Sequence, residues 1–96
     1  MFYVYIITNK PNGTLYIGQT DDIVKRMWEH KQQTHGGFAA KYNLTRLVWL
    51  ENFETRQDAF ATERRMKKWY RDWKVKTIEA HNPNWEDLTE SLSIIR

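Results

Sequence analysis

Tyr16, Gly18, Arg26 and His30 fall within one short stretch, LYIGQTDDIVKRMWEH (residues 15–30), that begins with the alternation of a strand and ends with the periodicity of a helix. Arg26 and His30 are four residues apart, so they share one side of that helix. A guanidinium forks onto two phosphate oxygens and stays charged, and an imidazole takes or relays a proton near neutral pH. A phenol such as Tyr16 serves as a base only with help, because with a pKa of about 10 roughly one part in a thousand is ionised at pH 7.

The carboxylate that completes this set stands far along the chain. On a helix turning about 100° per residue, Glu63 falls inside the apolar stripe of Ala59, Met66, Tyr70 and Trp73. A carboxylate facing a core costs several kcal/mol unless it is paired, hydrogen-bonded or on a metal. An ion pair, for instance with Arg26, is the structural solution. Mg²⁺ is the chemical one, since it dehydrates reluctantly and is held by one carboxylate, phosphate oxygens and waters; Mn²⁺ is the alternative ion.

With Tyr5 joining Tyr16, these side chains suit metal-assisted phosphodiester hydrolysis. Arg26 would clamp the phosphate, Tyr16 would act as base with His30 as relay, and the metal would stabilise the leaving oxygen. Each residue also has an ordinary role, with Tyr5 and Tyr16 as half-buried strand aromatics and His30 as a surface helix residue.

Charge supports a polyanionic partner. Residues 64–76 carry seven basic side chains against Asp72 alone, a local charge of +6, which leaves −3 on the rest of a chain of net charge +3. The helical wheel gathers Arg64, Lys67, Lys68 and Arg71 into a strip beside Glu63, as a nucleic-acid backbone requires. A solubilising face is the plain alternative. The 96 residues contain no cysteine, which excludes disulfides, thiolate metal sites and cysteine nucleophiles and fits an intracellular, cytoplasmic protein. The opening apolar segment lacks the flanks of a signal peptide, and no apolar run approaches the roughly 20 residues of a membrane span.

The elements that must position these groups are legible in outline. FYVYII alternates as a strand and leaves into the turn composition NKPNG. A loop of residues 9–12 or 9–14 fits, and either, being even, puts Tyr5 and Tyr16 on one face of the strand pair. TDD caps a helix to about residue 33, HGGF reads as a loop, and RLVWLENF reads as a third strand, central or well covered. Thr55 and Asp58 form a capping box for a second helix, with a break near residues 70–73 and a short helix to about residue 80. The expected class is α+β, one domain over residues 1–96, with a core of residues 2–80 and a segment of residues 81–96 wrapped against it. Trp49, Trp69 and Trp73 are expected in the core, and Trp28 and Trp85 as candidates for base stacking.

YVY at 3–5, YIG at 16–18, Arg26 ten residues after Tyr16, His30 and the Glu63 of AFATERRMKKW together resemble the GIY-YIG nuclease superfamily. More narrowly, the chain is similar to small standalone GIY-YIG proteins, including their closing NPxWxDL, here Asn82 to Leu88, over nearly all of residues 2–88. The resemblance implies a three-stranded antiparallel sheet flanked by helices, a divalent metal and cleavage of DNA. Carried over by position, Tyr16 would be the base, Tyr5 its companion, Arg26 the phosphate clamp and Glu63 the metal ligand, with His30 where relatives carry Tyr or His. Gly18 would leave room for the phosphate. Tyr3 replaces the first triplet's glycine, Gln19 stands where several relatives have Lys, and Val75 stands where several have Asn, with Asn82 a distant substitute. With only eight residues after 88, no separate DNA-choosing module is expected. The expectation is therefore structure-specific or weakly specific nicking in repair or recombination, with no membrane, no small-molecule cofactor and a protein partner that supplies specificity. The alternative is a non-catalytic nucleic-acid-binding or adaptor module.

Overall fold

In the computed structural model, which describes residues 1–33 and 37–95, the first strand lies at the centre. β1 (Phe2–Thr8) is buried continuously from Val4 to Thr8, with β2 (Leu15–Thr20) and β3 (Arg46–Phe53) antiparallel on either side. The fold class is the α+β arrangement expected from the sequence. Of the two readings of β3, central or well covered, the second holds: RLVWLENF lies at an edge of the sheet. Its apolar run reflects cover on both faces, Leu47 facing one core cluster while Val48 and Trp49 join the other.

Neighbouring residues reach the same cluster because the ladder is irregular. Ile6 pairs with Trp49 and Ile7 with Leu47, so the register passes over Val48. Such a bulge re-aims a side chain.

The β1–β2 loop spans residues 9–14, the longer of the two even lengths, since Thr8 pairs with Leu15. Tyr5 therefore faces Gly18 and Ile7 faces Tyr16, which puts both tyrosines on one side of the sheet. Asn9 Oδ1 accepts from the Thr14 amide at 3.2 Å inside this loop.

Helix α1 (Ile23–Gln32) is capped by Asp22, whose side chain accepts from the Lys25 amide, and it ends at Gln33 in the left-handed region. Of the HGGF stretch, His35 and Gly36 lie outside the described residues, while Gly37 and Phe38 open a short helix, α2 (Gly37–Lys41), rather than continuing a loop. In α3 (Arg56–Lys67), Thr55 Oγ1 accepts from the Asp58 amide at 3.1 Å, as the capping box requires.

α3 stops three residues short of Tyr70, and α4 (Arg71–His81) sets off anew. This break removes Tyr70 and Trp73 from the stripe read on one continuous helix, and both stand exposed, Tyr70 at 78% and Trp73 at 54%. A last helix, α5 (Thr89–Ile95), had no counterpart in the sequence reading. Among the described residues no helix is long and apolar enough to cross a membrane.

The closing NPNWEDL secures the outer side of β3. Asn82 is buried; its Nδ2 donates to the carbonyl of the bulged Val48 at 3.1 Å and to that of Glu86 at 2.9 Å, and its Oδ1 accepts from the Glu86 amide at 3.0 Å. Asp87 accepts from the Leu47 amide, the Leu88 amide donates to the Leu47 carbonyl, and Arg46 donates to the Trp85 carbonyl. Trp85, expected at the surface, is buried at 2% exposure with its indole N–H on Glu79. The segment thus supplies core and backbone partners together. Asn82→Ala leaves the Val48 carbonyl without this donor, and we expect it to lower unfolding free energy by about 1–3 kcal/mol, read as a fall in urea midpoint.

Candidate active site

Four elements bring Tyr5, Tyr16, Arg26, His30 and Glu63 into one contiguous group, with Arg26 and His30 at the Tyr5 hydroxyl, Tyr16 beside His30, and Glu63 linked to Tyr16 through Lys67. The Tyr5 side chain rises from the central strand and is 1% exposed. It lies directly across from Gly18, where a Cβ would stand 2.5 Å from the Tyr5 Oη and 2.7 Å from its Cζ. The space left by Gly18 is thus taken by the Tyr5 ring, a protein contact in place of the room for phosphate that the sequence implied.

Helix α1 adds two groups from one side, as the four-residue spacing requires. Tyr5 Oη and His30 Nε2 are hydrogen-bonded at 3.0 Å, and the Arg26 guanidinium lies beside the same hydroxyl. His30 is buried at 7% exposure, which sets aside its reading as a surface residue. Arg26 also meets Glu29 at 3.3 Å one turn on.

Burial pushes the Tyr5 hydroxyl up to about 12; Arg26 opposes the rise, while Tyr16 and Glu63 add to it. At neutral pH this phenol is therefore a fixed hydrogen-bonding group and not a base. Burial also acts against the Arg26 charge, but the Tyr5 hydroxyl and the Glu29 carboxylate outweigh it, so Arg26 is held more firmly protonated than an ordinary arginine.

Tyr16 is placed differently. It is half-buried, with its ring edge-on to His30 at 6.1 Å and stacked on Phe38 of α2 at 6.3 Å. The Lys67 ammonium lies 5.9 Å from the centre of its ring.

Glu63 is buried in α3, where the wheel placed it, but its ion-pair partner is Lys67, 3.3 Å away, and not Arg26. The four-residue spacing of Glu63 and Lys67 was the available signal for that pair. Phe38 gave no comparable signal. Among the described residues no three His, Cys, Asp or Glu side chains cluster as a metal cage. The donor set is one hard carboxylate, which fits a cation that keeps most of its waters.

The basic strip is shorter than the sequence suggested. Arg64 is exposed on α3, over the Phe60 ring at 5.4 Å, and Lys68 is exposed at the C-cap of that helix. Arg71 instead opens α4, and its Nη2 donates to the carbonyls of Asn12 at 2.9 Å and Gly13 at 2.7 Å, clamping that helix to the hairpin loop.

A family profile described as the GIY-YIG catalytic domain matches residues 1–76, which contain all five of these clustered residues. The chain belongs to the GIY-YIG family. The catalytic domain of that family is typically a nuclease. The UPF0213 protein of Staphylococcus saprophyticus is 38% identical over 80 residues, spanning 79% of this chain and 92% of the relative. That of Clostridium perfringens is 32% identical, spanning 98% of this chain and all of the relative. The solution NMR structure of the UPF0213 protein BH0048 from Bacillus halodurans shares the fold with a TM-score of 0.57 at 25% identity, covering 94% of this chain and 96% of that one.

Two measurements test the centre of this cluster. The Tyr5 hydroxyl ionises near pH 10 in the unfolded chain and near 12 in the folded one, so its contribution to stability is complete below about pH 10 and is lost as pH rises through about 12. Wild type is expected to lose roughly 2–3 kcal/mol across that window relative to Tyr5→Phe, measured by urea unfolding of both at each pH. Gly18→Ala is expected to cost about 1–3 kcal/mol through overpacking and to shift the Tyr5 phenol signal in ultraviolet titration. An unshifted Tyr5 in that variant would contradict the close approach.

Proposed function

We propose that the chain is a divalent-metal-dependent endonuclease that hydrolyses DNA phosphodiester bonds, nicking one strand with structural or weak sequence preference. The observation that carries this reading is the contiguity of five residues from four elements: His30 and Arg26 at the Tyr5 hydroxyl, Tyr16 edge-on to His30, and Glu63 paired with the Lys67 that lies over the Tyr16 ring.

Arg26 clamps the phosphate. Its charge is secured by Tyr5 and Glu29, and its planar fork matches two phosphate oxygens. Tyr5 acts as a positioning residue, since burial keeps its proton in place while its oxygen is bonded to His30 with Arg26 beside it. Tyr16, the more accessible phenol, takes the proton of the attacking water, with the Lys67 ammonium beside the ring and His30 at its edge. Glu63 would hold Mg²⁺ or Mn²⁺, which when bound supplies Lewis-acid stabilisation of the leaving oxygen. Arg64 and Lys68 would neutralise flanking phosphates.

The substrate class follows from the polyanion-seeking face and the family's nuclease-type domain, and a role in cytoplasmic DNA repair or recombination is part of the same proposal. Any finer choice of DNA would come from a protein partner.

The direct test is relaxation of supercoiled plasmid by purified wild type, Glu63→Ala, Glu63→Gln and Arg26→Lys, each with Mg²⁺, with Mn²⁺ and with chelator. We expect metal-dependent nicking by wild type, a loss of about 10²-fold or more in both Glu63 variants, and a loss of at least about 10-fold in Arg26→Lys. Equal activity in wild type and Glu63→Ala would remove Glu63 from the centre of the reaction. Salt-sensitive DNA binding without nicking by any of them would leave the non-catalytic module as the better description.

A further inference from the structure

The outer face of α3 carries a second surface, of which the catalytic reading draws only on Arg64 and Lys68. Phe60, Ala61, Arg64, Arg65, Lys68 and Trp69 line a cleft of about 520 Å³. Every charged side chain in that lining is a cation. The cleft continues across the break before α4, where Trp69 meets Trp73 at 6.3 Å and Trp73 meets Tyr70 at 6.0 Å.

These rings are unusually open for their size: Phe60 is 46% exposed, Trp73 54% and Tyr70 78%. Tyr70 occupies the N-cap position of α4, where Ser, Asp or Asn would stabilise the helix, and its side chain makes no capping hydrogen bond. The platform is nevertheless firm. Trp69 packs against the core, and Arg71 ties the first turn of α4 to the carbonyls of Asn12 and Gly13.

Interleaved cations and exposed rings suit a strand whose phosphates need neutralising and whose base faces are free to stack. A duplex offers phosphates and groove edges but hides its base faces, so it would leave the rings unused. The cleft also lies close to the catalytic cluster, because Phe60 and Glu63 are less than one helical turn apart on α3.

We propose that this cleft and the Trp73–Tyr70 edge bind unpaired bases of single-stranded DNA, so that the preferred substrate carries a single-stranded segment beside the cut. The substrate preference rests on the endonuclease reading above; the binding site itself does not require cleavage.

Binding is therefore measured with chelator present, by fluorescence anisotropy on three labelled probes of about twelve nucleotides: a thymidine oligonucleotide, a duplex, and an abasic deoxyribose-phosphate strand of equal charge. The proteins are wild type, Trp73→Ala and the double variant Phe60→Ala/Trp73→Ala, with urea unfolding to confirm that these exposed substitutions leave the fold intact. We expect wild type to bind the thymidine strand at least about 5-fold more tightly than the abasic strand, with quenching of tryptophan fluorescence. The double variant should lose about 10-fold or more on the thymidine strand while changing less than about 2-fold on the other two.

Equal affinity for thymidine and abasic strands, an unchanged double variant, or equally effective competition by an acidic peptide of matched charge would each overturn the proposal. Metal-dependent plasmid nicking without base-dependent binding would sink this inference and leave the catalytic reading standing. Base-dependent binding without nicking would do the reverse.

Discussion

The contact between Tyr5 and the bare backbone of Gly18 is the constraint around which the candidate site is organised. Tyr5 belongs to the central strand, so its backbone is fixed by partners on both sides, and its ring needs the space that a Cβ at residue 18 would occupy. With the ring in that space, one hydroxyl is held where a guanidinium and an imidazole from α1 both reach it. Strand register, a missing side chain and a four-residue helical spacing thus act on the same atom. Burial then separates the two phenols, leaving Tyr5 as a proton-holding support and Tyr16 as the group with solvent access.

Much of this arrangement was legible because it depends on short-range periodicity. An even hairpin loop puts Tyr5 and Tyr16 on one face whatever its length, and Arg26 and His30 share a helix side by their spacing alone. The inward position of Glu63 followed from the same geometry. The choice of its partner did not, because Arg26 and Lys67 both satisfy a carboxylate and only the packing of α3 decides between them.

The errors have a common cause in where helices stop. Reading α3 through to residue 73 put Tyr70 and Trp73 in the core and Arg71 on the basic strip; the stop at Lys67 turns the first two outward and gives Arg71 to the hairpin loop. Lys68 and Trp69 close the helix without a glycine or proline to announce it. β3 was similarly ambiguous, since an apolar run marks cover and does not say whether the cover is a strand or a returning tail. Trp85 and Asn82 supply part of that cover, and nothing local in NPNWEDL identifies the strand they would find.

That returning tail separates the chemistry from the colloidal behaviour of the chain. The five clustered residues lie within residues 1–76, whereas the groups that occupy the free side of β3, namely the Asn82 and Asp87 side chains and the Leu88 amide, come after it. Stripped of these groups, β3 would offer a row of unpaired amides and carbonyls to the same strand of another copy, the geometry from which open-ended aggregates grow. A shortened chain would therefore keep all five clustered residues and still present a bare strand edge to another copy, which makes the NPNWEDL segment a guard against edge-to-edge pairing as much as a brace for the fold.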